Sequence, residues 1–211
     1  SRKDSSLSDF SIKASTKELA DSVKFSLHTY SKIKGLSGRE AKKGTVSIQG
    51  SMSNLLHEKK VDFAKARIVF TGDFENFPTK TLSPLILLDQ EIETLIEAIM
   101  GAEMNANISV DLDAGKGPVN LEVTSQNSQA SVQAKMDNGI LQLNKDAQAR
   151  LILTPHMIKI LEKFYPLLEG VNGAENPIIV TIGAKGTSIP ILPLDIAKIN
   201  VGESNLELGK L

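Results

Sequence analysis

The 211-residue chain has no cysteine and no tryptophan, and only 4% of it is aromatic. The missing thiols exclude disulfides, cysteine-ligated zinc and cysteine nucleophiles together, and they are compatible with any compartment. Few rings mean few platforms on which bases or sugars could stack. Neither sign of charge dominates: Lys and Arg number 24, Asp and Glu 25. A chain with no basic surplus cannot neutralise a run of phosphates, so nucleic acid is not an expected partner. No window approaches the roughly 18 consecutive apolar residues of a membrane-spanning helix. The opening Ser1-Arg2-Lys3-Asp4-Ser5-Ser6 lacks the apolar centre of a signal peptide. A start without Met leads us to expect an excised fragment, with any targeting segment or membrane anchor outside it.

What is present is an ordinary globular composition, 41% hydrophobic and 23% charged, laid out in a regular pattern. Alternation with period two predicts four strands in the first third. They run through Phe10, Ile12 and Ala14; Val23, Phe25 and Leu27; Val46, Ile48 and Met52; and Phe63 and Ala64 into Ile68 and Phe70. The period then changes. From Ser83 to Met100, Leu85, Leu88, Ile92, Leu95, Ile96 and Ile99 recur every three or four residues, which predicts a helix opened by Ser83-Pro84 and stopped by Gly101.

Period two then returns. Met104, Ala106, Ile108, Val110 and Leu112 make one apolar face; Val119, Leu121 and Val123 a second; Ala130, Val132, Ala134 and Met136 a third; Leu141 and Leu143 a fourth; Ala149, Leu151 and Leu153 a fifth. The joints are short, and Asp137-Asn138-Gly139 is a hairpin signal because Asn and Gly accept positive φ. Five strands joined so briefly predict an antiparallel meander. Thr154-Pro155 should open a second helix through Ile158, Leu161, Phe164, Tyr165 and Leu168 to Gly170, kinked or shortened by Pro166. The tail reads as strands again.

The fold class is therefore α+β and mostly antiparallel: a long curved meander sheet whose apolar face two amphipathic helices cover in part. A single elongated domain over 1–211 is expected, with 1–80 and 81–211 as its sub-units. Two arrangements satisfy the pattern. The sheet folds on itself as a sandwich or barrel plugged by the helices, or part of its apolar face stays open as a groove.

Catalytic signatures are scarce. His28, His57 and His156 are far apart, and none belongs to an HExxH or HxH pattern. No Gly-x-Ser-x-Gly elbow frames a serine. Asp111 and Asp113 alternate on the outer face of a strand, where carboxylates are usually solvated. The segments GAKG, AGKG and VGES are not phosphate-cradling GxxxxGK[ST] loops. Lys42-Lys43 and Lys59-Lys60 flank strands, where lysine protects edges and can also meet anionic headgroups. Met52, Met100, Met104, Met136 and Met157 fall at element ends or on inner faces, as adaptable packing. An enzyme is not expected, and neither is a cofactor or a metal.

Several stretches carry a family resemblance: DFENFPTK before the first helix, the long strands with small polar turns, Leu153-Thr154-Pro155, and the closing IPILPLD and LELGKL. Over about residues 61–211 the chain resembles the AsmA-like, TamB-related bacterial envelope proteins. That resemblance implies a section of a bridge-like lipid transfer protein, periplasmic and anchored to the inner membrane through a segment outside this chain. Phospholipid or another acyl lipid would move along an apolar β-groove, with envelope proteins as further partners and no catalytic residues. The candidate lipid-facing positions are Ala106, Ile108, Val110, Leu112, Val119, Leu121, Val123, Val132 and Leu151. The other reading is a structural or docking module whose sheet is filled by its own helices and which binds protein partners.

Overall fold

A computed structural model describes residues 5–16, 22–33, 43–57, 60–62, 65–81, 90–163, 170, 177–191 and 198–207. These form one open antiparallel sheet of 12 strands, a small separate hairpin and two α-helices. The strands are β1 (Ser5–Thr16), β2 (Ser22–Ile33), β3 (Lys43–Ser53), the hairpin β4 (Leu56–His57) and β5 (Lys60–Val61), and β6 (Arg67–Pro78). A 3-10 turn (Thr79–Thr81) and α1 (Gln90–Met100) follow, then β7 (Glu103–Asp113), β8 (Lys116–Ser125), β9 (Ser128–Asp137), β10 (Ile140–Leu143) and β11 (Ala147–Leu151). The chain closes with α2 (Pro155–Leu161), β12 (Ile178–Ile182), β13 (Ser188–Pro190) and β14 (Ser204–Glu207).

Register turns the alternation into faces. Because paired residues of an antiparallel ladder lie on the same side of a sheet, the pairings can be followed from strand to strand. Thr29 pairs with Val46, and the row continues through Phe74, Ala106, Val123, Ala130, Ala149 and Val180 to Leu206. One residue earlier on β2, His28 begins a row through Ser47, Asp73, Asn107, Glu122, Ser131, Gln148 and Thr181 to Asn205. From Val46 to Leu206 apolar side chains thus share one face across eight strands, with Thr29 buried at its start, and polar ones the other. The tight turns that hold this register have positive φ at both central residues: Ala114 (48°) with Gly115 (74°), and Asn138 (49°) with Gly139 (83°).

Besides a register shift between Ser8 and Ser11 on β1, two irregularities depart from simple alternation. In β6 one extra residue sits between Phe74 and Phe77, and Asn76 takes it up at φ 48° while its N–H donates to Asn105 Oδ1 at 2.8 Å. The bulge returns Phe77 to the apolar face, where it is fully buried against Val46 and Met104. The second corrects the expected five-strand meander. β10 and β11 do not pair with each other; both pair with β9, β10 along Ala134–Asp137 and β11 along Ser128–Ser131. They are one line interrupted at Lys145-Asp146, whose polar side chains interrupt the apolar alternation. The neighbouring line breaks at the same level between β12 and β13, where Asp146 Oδ1 accepts from Ala184 N–H at 2.8 Å.

The helices are shorter in the described residues than expected. α1 is described from Gln90 and ends at Gly101, whose φ of +78° no helix continues through. Ser83, Pro84, Leu85 and Leu88 lie outside the described residues, as do Phe63 and Ala64. α2 begins as expected, with Thr154 Oγ1 accepting from Met157 N–H at 3.1 Å and Pro155 in the first turn, but it ends at Leu161 and not near Gly170. A helix continuing to Gly170 would have had to carry Pro166, which has no N–H for the Glu162 carbonyl. Phe164, Tyr165, Pro166 and Leu168 are outside the described residues.

Candidate functional site

The long apolar face of the sheet is the largest chemically uniform feature of the described residues. Its middle row runs from Ile12 through Leu27, Ile48, Gly72, Ile108 and Leu121 to Val132, crossing seven strands. At ~4.8 Å per strand that is about 29 Å of continuous apolar surface. Two glycines shape it. A side chain on Gly72 would meet Ile108 Cγ2 at 2.8 Å and Ile48 Cγ1 at 3.4 Å, and one on Gly50 would meet Phe70 Cβ at 2.6 Å and Phe25 Cζ at 2.8 Å. Larger neighbours lean over both gaps, so the rows present aliphatic and aromatic groups without a break.

The helices cover one end of this face. Ala98 of α1 packs with Met157, Ile158 and Ile160 of α2 against Leu153 and Ile178, and Leu95 and Ile99 join that cluster. Met100 packs on the second cluster, formed by Val46, Phe77 and Met104. The chain leaving β6 completes the roof. Thr79 and Thr81 are buried, and the turn they bound comes within 8 Å of β1, three strands away along the sheet. Thr79 holds the turn to the end of α1, its Oγ1 donating to Gly101 O at 2.6 Å.

Away from that roof the cover thins. Leu27, Ile48, Ile108, Leu121 and Val132 are only partly buried, and at the edge Ile12 is 73% exposed. Throughout Ser11–Thr16, apolar-row and polar-row residues are both exposed.

The expected lipid-facing residues fall on this one face. Ala106 pairs with Val123, Ile108 with Leu121 and through it Val132, and Val110 with Val119. Ala106 and Val110 are buried, whereas Leu112, Val119, Leu121, Val123, Val132 and Leu151 are partly buried. Leu151 stands at the roofed end, paired with Ile178. The sequence reading missed that Leu27, Ile48, Phe25 and Phe70 continue the same rows. Their alternation was visible, but only register shows that they share a surface with β7 to β9.

The residues weighed for chemistry are dispersed. His28 lies on the polar face with its ring edge-on to Tyr30 at 4.9 Å, and His57 and His156 are exposed on separate elements. Asp111 accepts from Arg67 at 3.2 Å, and Asp113 pairs in register with Lys116. Among the described residues, no three His, Asp or Glu come together as metal ligands, and no helix is long and apolar enough to cross a membrane.

The chain matches no family model, no curated protein and no solved structure. The geometry of the face is therefore what any functional reading rests on.

Proposed function

We propose that the chain is a non-enzymatic lipid-binding section of a bacterial envelope protein, carrying acyl chains along the apolar face of its sheet. One observation carries this reading: a seven-strand apolar row that the described parts of the helices leave only partly buried and that finishes at a 73% exposed isoleucine, Ile12. Monomeric proteins seldom expose contiguous apolar patches larger than a few hundred Å² without an occupant. An acyl chain fits this face because the middle row offers dispersion contacts and no side-chain hydrogen-bonding group, while the polar face behind it stays in water. The sequence resemblance to AsmA-like proteins supports the same reading and extends it to a periplasmic bridge, with phospholipid as cargo and an inner-membrane anchor elsewhere in the protein.

The docking-module reading draws on the clusters formed by α1 and α2, but these account for the roofed end and leave the middle row partly exposed. The test is native mass spectrometry of the gently purified chain, with lipid extraction alongside. Stoichiometric phospholipid, or its uptake from liposomes, supports the groove. A mass that stays lipid-free after liposome incubation refutes it and favours docking.

A further inference from the structure

We propose that the opposite, polar face carries an anion site on β1, β2, β3 and β6, built on Lys13 and Lys24 and suited to a phosphate group. The face is hollowed there into an open depression of about 580 Å³. Register places its lining side by side: Lys13 pairs with Ser26, Ser26 with Gln49 and Gln49 with Thr71, while Lys24 pairs with Ser51. The two lysines are diagonal neighbours on one face, a relation that sets side chains roughly 7–8 Å apart. Among the described residues, no carboxylate lines the depression. Asp111, reached along the row beyond Val69, is engaged by Arg67 at 3.2 Å.

Two like charges held this close repel, and a bound anion turns that repulsion into attraction. The lysines supply charge, and the Ser, Thr and Gln side chains supply the hydrogen-bond donors that phosphate oxygens accept. The positive site is local, since the whole chain is formally −1. The hollow between β12 and β14 is its opposite in charge, with Asp146, Glu203 and Glu207 against Lys185. The inference does not depend on the lipid reading, because it concerns the other face.

The test is a ¹⁵N–¹H correlation spectrum of the whole chain titrated with inorganic phosphate, and in parallel with phosphatidylglycerol and phosphatidylcholine vesicles. Sodium chloride at matched ionic strength is the control. The expected result is saturable shifts confined to Ser26, Gln49, Ser51, Thr71 and their neighbours. Binding should be weakened at least about tenfold in the Lys13→Gln/Lys24→Gln variant, whose substitutions are on exposed side chains. Saturation by free phosphate assigns the site to a soluble phosphate compound. A response to phosphatidylglycerol vesicles alone assigns it to a lipid headgroup. The proposal is overturned if neither probe shifts these residues, if sodium chloride reproduces the shifts, or if the double variant responds like the parent.

Discussion

Phe77 meets Phe74 edge-on, with ring centroids 5.5 Å apart and planes at 90°, although three positions in a regular strand would put them on opposite faces. The extra residue at Asn76 brings them together. Phe77→Ala should therefore cost about 3–5 kcal/mol, as for a fully buried aromatic. Asn76→Gly should be tolerated, because glycine accepts φ 48°, whereas Asn76→Val should lose about 1–2 kcal/mol or more. Urea denaturation of the three variants measures this order. Equal losses for the glycine and valine variants would rule out backbone strain as the cause.

The alternation in β7, β8 and β9 was legible because each strand buries one face and the β7–β8 and β9–β10 turns carry Ala-Gly and Asn-Gly at positive φ. Helix α2 announced its start through Thr154-Pro155 for a similarly local reason. What was not legible depends on partners distant in sequence. Nothing local distinguishes β10 and β11 as two strands of a meander from one line broken at Lys145-Asp146; pairing with β9 decides it. Likewise Gly72 looks like a gap in an apolar face until Ile48 and Ile108 are seen to close over it. The candidate site was half read: its β7 to β9 part followed from pattern, and its extension to Ile12 required register.

Thr79 and Thr81 are each 3% exposed, but only Thr79 has a hydrogen-bond partner for its hydroxyl, which donates to Gly101 O at 2.6 Å. An unsatisfied buried hydroxyl carries its desolvation cost uncompensated. Thr81→Val should therefore raise stability by about 1 kcal/mol and Thr79→Val should lower it by about 1–2 kcal/mol. Thermal melts of the two variants should move in opposite directions. A fall for Thr81→Val would show that its hydroxyl is satisfied in solution.

Arg67 and Asp111 form an ion pair at 3.2 Å, with half of each side chain exposed to water. Solvent screening makes such a pair worth little. A double-mutant cycle with Arg67→Ala and Asp111→Ala should give a coupling below about 1 kcal/mol that shrinks further at high salt. A coupling of several kcal/mol would mean that the polar face is covered in solution, by a second copy or by another protein.

Ile12 offers the cleanest separation of surface from core on the apolar face. Its side chain ends the middle row yet is 73% exposed, so Ile12→Asp removes an apolar contact from the row while leaving folding stability within about 0.5 kcal/mol. Ala106 lies on the same face but is 6% exposed, and Ala106→Asp buries an unpaired carboxylate that should destabilise the sheet by several kcal/mol. If acyl chains run along the rows to the β1 edge, Ile12→Asp should lower the lipid recovered with the protein while its melting temperature is unchanged. Lipid loading equal to that of the parent would place the path's end before β1. Loss of lipid only in variants that also unfold, as Ala106→Asp should, would mean that the rows serve as core and not as a groove.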